Sequence, residues 1–141
     1  MGGHQYGEVA SGIAVRTLAS YVVEKMYLSL LSLEPKSPDE PLRDIMSAGV
    51  LAAHKAILKS VSGGGTTLTS AMVLGDKMIL AHVGDSRAYT LHSNGEIRAL
   101  TRDHSLVNRL VELGQLTSEE AAIHPQRNVL YRALGQGEPF D

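Results

Sequence analysis

Apolar residues recur at helical spacing over roughly the first sixty positions, then give way to short apolar runs bounded by turn signals. From about Glu8 to Leu33, Val9, Ile13, Val22 and Met26, with Leu18 beside them, fall on one face and predict a long helix. Glu8 stands in its first turn, where a negative charge suits the helix dipole. Pro35 to Pro41 interrupt the pattern. Ser37-Pro38-Asp39-Glu40 reads as a fresh start: Ser37 as N-cap, Pro38 at the first helical position, Glu40 closing a capping box. This second helix is expected to run to about Val61 with Leu42, Ile45, Met46, Val50, Ala53, Ile57 and Val61 inward, ended by glycines 63–65. Together the two predict a helical hairpin.

The next segment is punctuated by Gly75-Asp76 and Asn94-Gly95. The first pair suits a type II′ turn and the second a type I′ turn, since such residues accept positive φ at little cost. Four antiparallel strands follow, roughly 67–74, 77–84, 87–92 and 96–101, read as one meander. Leu106, Leu110, Val111 and Leu113 then predict a short helix closed by Gly114, and Thr117-Ser118-Glu119-Glu120 a capping box opening another. Residues 128–134 fit helix or strand equally. Two long helices beside a meander make an α+β layer pair. A small sheet with unpaired edges usually needs cover, so the chain is expected to belong to something larger and, alone, to be poorly stable and prone to associate.

At 141 residues and 43% hydrophobic, one domain with a real core is expected. A net charge of −2 with no block of like charge argues against nucleic acid or a polybasic membrane contact. No apolar run spans a bilayer and no signal-peptide core opens the chain. With no cysteine, disulfides and thiolate metal sites are excluded, and a reducing compartment, the cytoplasm, is expected.

Asp85 is the sharpest candidate for chemistry. Gly-Asp-Ser is a common turn, but a carboxylate at a strand end also suits a hard cation such as Mg²⁺ or Mn²⁺. Gly84 beside it would admit a close approach by a ligand or another backbone. Arg87 is expected to form an ion pair, with Asp103 as the natural partner. Gly63-Gly64-Gly65-Thr66-Thr67 reads as a helix-to-strand connector; a phosphate cradle is the alternative, although no Lys makes it a Walker A loop. The histidines His4, His54, His82, His92, His104 and His124 make no zinc-hydrolase spacing. His54 is expected at the surface or a core edge, and His82 and His92 as ordinary strand residues. No Gly-x-Ser-x-Gly elbow supports a serine hydrolase.

Taken as an ordered set, the motifs are more specific than any one alone. Met1-Gly2-Gly3-His4-Gln5-Tyr6-Gly7-Glu8, Gly65-Thr66-Thr67, Gly84-Asp85-Ser86-Arg87, Asp103-His104-Ser105 and His124-Pro125-Gln126-Arg127-Asn128-Val129-Leu130-Tyr131-Arg132-Ala133-Leu134-Gly135 resemble, end to end, the central portion of bacterial PP2C-type (PPM) metal-dependent Ser/Thr protein phosphatases. The resemblance implies part of an α-β-β-α sandwich of two antiparallel sheets, with a flap from His104 to His124. It implies hydrolysis of phosphoserine and phosphothreonine by water activated on a Mn²⁺ or Mg²⁺ pair, phosphoprotein substrates, and a cognate Ser/Thr kinase among the partners. Asp85 is the one metal ligand it carries over, at a third, weaker cation position. It assigns no catalytic residue: Met1 stands where many eukaryotic members place a histidine, and His4 is not its equivalent. The family's other metal-binding motifs would precede Met1 and follow Asp141, so residues 1–141 are expected to be a single incomplete domain, inactive by itself. The competing expectation is a non-catalytic phosphatase-like module that binds a partner through the flap.

Overall fold

The structure is a computed structural model that describes residues 6–30 and 39–137. Eight elements follow in order: α1 (Gly7–Leu30), α2 (Asp39–Ser60), β1 (Leu68–Leu74), β2 (Lys77–Val83), β3 (Tyr89–Leu91), β4 (Ile97–Ala99), α3 (Leu106–Glu112) and α4 (Ser118–Ile123). The α+β class and the helical hairpin are as expected, with α1 and α2 packed side by side. The Ser37–Pro38 start of the second helix and the end of the first beyond Leu30 lie outside the described residues.

The core is built where the two helices meet the first hairpin. Ala10, Ala14 and Leu18 of α1 face Val50, Ala53 and Ile57 of α2, and Leu68, Val83 and Leu134 close the cluster. The buried stripe of α1 is therefore not the expected one. Val9 is half exposed, while Ile13 and Val22 sit at the margin of the core. The reason is distance. Alanines, with Gly49 opposite Leu18, let two helix backbones come close, and the larger apolar residues then flank the contact. On the predicted inward face of α2, Met46, Val50, Ala53 and Ile57 are buried, as is Val61 just past its end, while Leu42 and Ile45 are half-buried. The larger of these side chains, Met46, Val50, Ile57 and Val61, each contribute about 1.5–3 kcal/mol by burial.

His54 departs from expectation. It is fully buried on α2, and its Nδ1 accepts the N–H of Gly135 at 3.1 Å. Burying an imidazole is tolerable because it serves a backbone donor that would otherwise be orphaned. Two further bonds, Thr66 N–H to Leu134 O at 3.1 Å and Leu134 N–H to Thr66 O at 2.9 Å, fasten the same segment. Replacing His54 with leucine keeps the volume roughly and removes the acceptor. Urea denaturation is expected to show a loss of about 1–3 kcal/mol, the cost of an unmet buried donor.

The strands pair as two separate hairpins rather than one meander of four. Gly75 (φ 61) and Asp76 make the expected two-residue turn, setting Leu74 opposite Lys77 and, at the far end, Leu68 opposite Val83. The second hairpin is shorter and its turn is not type I′. Asn94 does not adopt positive φ; Gly95 does (φ 85), and the loop closes through Gly95 N–H to His92 O and His92 N–H to Glu96 O. That is a three-residue loop with glycine in the left-handed position. Between the hairpins, residues 84–88 leave the ladder. Scattered bonds hold them instead: the Thr67 and Ser86 hydroxyls lie 2.8 Å apart, the Ala88 N–H donates to Thr101 Oγ1 at 3.0 Å, and the Gly84 and Ala88 carbonyls accept the backbone N–H groups of His104 and Leu100, each at 2.8 Å.

Beyond β4 the short helices are as predicted. Ser105 caps α3, accepting the Asn108 N–H, and Gly114 (φ 69) closes it. Thr117 and Glu120 form the full capping box of α4, and the bonds from Thr117 hold the Glu120 carboxyl below its ordinary pKa. Residues 128–134 are neither helix nor strand; they cross the fold through single bridges, Leu130 to Ser105 and Leu134 to Thr66.

Candidate functional site

The loop that carries Asp85 is made by the end of β2. Gly84 is buried at φ 109, a backbone region closed to residues with a Cβ, and a Cβ there would collide with Thr67. Ser86 is gripped on its other side: its carbonyl accepts from Thr69 Oγ1 at 3.3 Å as well as its hydroxyl pairing with Thr67. Asp85 is thus displayed, exposed, between two anchored neighbours.

Arg87 does what was expected of it. Its Nε and one terminal nitrogen donate to the two carboxylate oxygens of Asp103 at 2.8 and 2.6 Å. The hydrogen bond to Asp103, with a smaller contribution from Tyr89, raises the guanidinium pKa further above its already high value. The arginine side chain is 56% exposed and the aspartate 15%, so screening limits the pair to about 1 kcal/mol of stability. Its value is geometric: a planar fork holding residue 87 to residue 103 across the loop.

A cleft of about 440 Å³ opens between this loop and helices α3 and α4. Asp85, Arg87, Asp103, Asn108, Arg127 and Asn128 line it, two carboxylates facing two guanidinium groups and two amides. A larger groove of about 830 Å³ between α2 and β2 is lined by Met46, Val50, Leu51, Met78 and Leu80, and Asp85 takes no part in it.

Two histidines and a tyrosine form a ring cluster that the sequence does not show. The His82 and His104 rings lie 5.0 Å apart, and the Tyr131 ring is tilted against His104 at 5.7 Å. His82 is held at both nitrogens, Nδ1 2.9 Å from Thr69 Oγ1 and Nε2 2.9 Å from the Arg102 carbonyl. His104 Nδ1 accepts the Gly84 N–H at 3.1 Å. Desolvation, then the neighbouring His82 and Arg132, push the His104 imidazole below its ordinary pKa, against the opposing pull of Asp103 and Glu112. His82 therefore corrects the reading of it as an ordinary strand residue. Its partner was available in the sequence, because the Gly75-Asp76 turn fixes the register that sets Thr69 opposite His82. His92 is exposed, and His124 ends α4 with its Nδ1 accepting the Gln126 N–H; His4 lies outside the described residues. The Gly63–Gly65 segment is a connector. The Gly64 and Thr66 N–H groups are already bonded within the chain, to Val61 O and Leu134 O, and so are not offered to a phosphate.

The described residues do not by themselves fit a two-cation centre. Among them no group of three His, Asp or Glu side chains could share a metal ion. Asp103, the other carboxylate of the cleft, is engaged at both oxygens by Arg87. Of the two cleft carboxylates, Asp85 is the exposed one, with oxygens of the kind that hard cations prefer.

Comparison with known proteins places this geometry. Residues 3–127 match the family model for protein phosphatase 2C. The serine/threonine phosphatase stp of Listeria welshimeri is 39% identical over 137 residues, covering 96% of this chain and 52% of that protein. The solved structure of the S. agalactiae serine/threonine phosphatase superposes with a TM-score of 0.80 at 38% identity, covering all of this chain and 56% of that one. A structure of the PstP catalytic domain in complex with two manganese ions gives a TM-score of 0.71 at 34% identity, over 99% of this chain and 56% of that one. The chain belongs to the protein phosphatase 2C family, and its fold is the PP2C-like one that the motifs implied. It spans about half the length of the curated Listeria relatives it matches. No helix among the described residues is long and apolar enough to cross a membrane.

Proposed function

We propose that the polypeptide carrying this chain is a bacterial protein Ser/Thr phosphatase, and that residues 1–141 supply the Asp85 side of its catalytic cleft. It hydrolyses phosphoserine and phosphothreonine on proteins: water forms the new P–O bond, the bond to the serine or threonine oxygen breaks, and alcohol and inorganic phosphate leave. The observation that carries the reading is the family match across residues 3–127, with Asp85 exposed and lining a cleft together with Arg87 and Arg127. Mn²⁺ or Mg²⁺ is the proposed cofactor and Asp85 one of its ligands. The remaining carboxylates must come from outside the described residues, since those residues hold no three-ligand group. The proposed setting is the cytoplasm, and the substrates are phosphoproteins made by a cognate Ser/Thr kinase.

The test is hydrolysis of a phosphothreonine peptide, with and without Mn²⁺. It compares the 141-residue chain with the full polypeptide of its reading frame. Metal-dependent turnover is expected in the full polypeptide, with the 141-residue chain at least about 100-fold slower, because a cation that one carboxylate holds weakly gives little charge stabilisation. Asp85→Ala in the full polypeptide is expected to lower turnover about 10-fold, as loss of a peripheral ligand would. A folded full polypeptide with no turnover would instead favour a non-catalytic module that binds phosphoproteins. Comparable turnover by the 141-residue chain would contradict the placement of ligands elsewhere.

A further inference from the structure

One residue meets Gly84 from both sides of the peptide. His104 donates its backbone N–H to the Gly84 carbonyl at 2.8 Å, and its Nδ1 accepts the Gly84 N–H at 3.1 Å. The same residue reaches the segment beyond α4, since its own carbonyl accepts the Tyr131 N–H at 3.0 Å. Its immediate neighbour Ser105 caps α3 and bridges Leu130. Three parts of the chain therefore converge on residue 104: the loop that displays Asp85, the start of the α3–α4 flap, and the strand-like return after it.

The side chain is built for this position. An Nδ1 that accepts a hydrogen bond carries no proton, so the ring is the Nε2–H tautomer. The ring contacts both His82 and Tyr131, and His82 is itself held by Thr69 and Arg102. Thr67 stands close beside Gly84, near enough that a Cβ built there would collide with it.

We propose that His104 is a positioning residue that fixes the Asp85 loop to the flap, so that whatever orders helices α3 and α4 also sets the Asp85 carboxylate. The role in turnover rests on the phosphatase reading above; the tie between loop and flap does not. His104 is not assigned a proton transfer, because the nitrogen facing the loop is engaged by Gly84.

Two variants separate positioning from bulk. In His104→Asn the Oδ1 can stand where Nδ1 accepts, whereas His104→Leu keeps volume without an acceptor. In the intact polypeptide, a through-bond ¹⁵N–¹⁵N coupling between Gly84 N and His104 Nδ1 is expected in the wild type. With a phosphothreonine peptide, His104→Leu is expected to lose about 30-fold in kcat with KM within about 3-fold, because a small misplacement of a site group carries a large rate penalty. His104→Asn is expected to recover most of that loss. Equal impairment of both variants, unimpaired kcat in His104→Leu, or no coupling in the wild type would overturn the proposal. Should His104→Leu not fold, the coupling and near wild-type kcat in His104→Asn decide the matter in the same way. Should the wild type fold but hydrolyse nothing, the phosphatase reading fails alone. Amide exchange at Asp85 and Ser86 then decides: about 10-fold faster in His104→Leu and unchanged in His104→Asn supports the tie, and no difference between the variants rejects it.

Discussion

Gly135→Ala is expected to destabilise the fold by about 2–5 kcal/mol. Two costs add. Gly135 sits at φ 79, where an L side chain costs about 1–2 kcal/mol. The added Cβ would also run into the Cγ2 of Ile57, with the Gly64 carbonyl oxygen 2.6 Å away. Ile57 is fully buried in the core and cannot retreat, and overpacking of this kind costs about 1–3 kcal/mol. The change would also shift the N–H that His54 accepts. Gly63 provides the control. It has a similar φ of 73 but open space around a built Cβ, so Gly63→Ala should show the backbone cost alone, about 1–2 kcal/mol. Urea denaturation of both variants tests this directly. Equal losses would mean that the Ile57 contact yields freely and that residue 135 is not pressed against the core.

How much of this was legible in the sequence depends on how local each cause is. The Gly75-Asp76 turn determines the first hairpin, and from it follow the pairing of Thr69 with His82 and, one step further, the approach of Thr67 to Gly84. The Arg87–Asp103 pair was readable because both residues belong to short motifs with few other partners. The set of motifs around Gly84-Asp85-Ser86-Arg87 was enough to identify the family. What could not be read were contacts made by approach of distant segments. His54 looked like an edge residue because the donor that justifies its burial, Gly135, lies 81 positions away. His104 looked like one member of an Asp-His-Ser run because nothing local shows that its ring meets Gly84 or that residues 128–134 return past it. The buried stripe of α1 was misplaced for a different reason. Hydrophobicity marks the largest apolar residues, whereas a close helix contact selects the smallest, here Ala10 and Ala14. The split of the meander is likewise invisible in strand propensity, because the hydroxyls of Thr67 and Thr69 reach Ser86 where ladder bonds would otherwise join the hairpins.

Gly84→Ala is expected to lower both stability and turnover, and a second substitution should give part of each back. At φ 109 the residue lies outside the left-handed helical well, so alanine carries backbone strain of about 1–3 kcal/mol. Its Cβ would also strike Thr67, closest at Cγ2, then at Cβ at 2.7 Å. With overpacking of about 1–3 kcal/mol, the two costs together come to about 2–6 kcal/mol. The displacement cannot be absorbed silently, because Gly84 is bonded to His104 on both its N–H and its carbonyl, and Asp85 is the next residue. A shift of an ångström at Asp85 is expected to reduce kcat on a phosphothreonine peptide about 100-fold. Thr67→Ser removes only the methyl. It keeps the hydroxyl that pairs with Ser86 at 2.8 Å, so it should cost little by itself. In the double variant it relieves the closest contact and leaves the Cβ contact and the φ strain. The expected coupling between the two substitutions is about 1 kcal/mol in stability, with kcat recovering several-fold and not completely. Strict additivity of the two changes, in unfolding and in kcat alike, would mean that Thr67 does not confine Gly84, and that the loop displaying Asp85 is held by its hydrogen bonds alone.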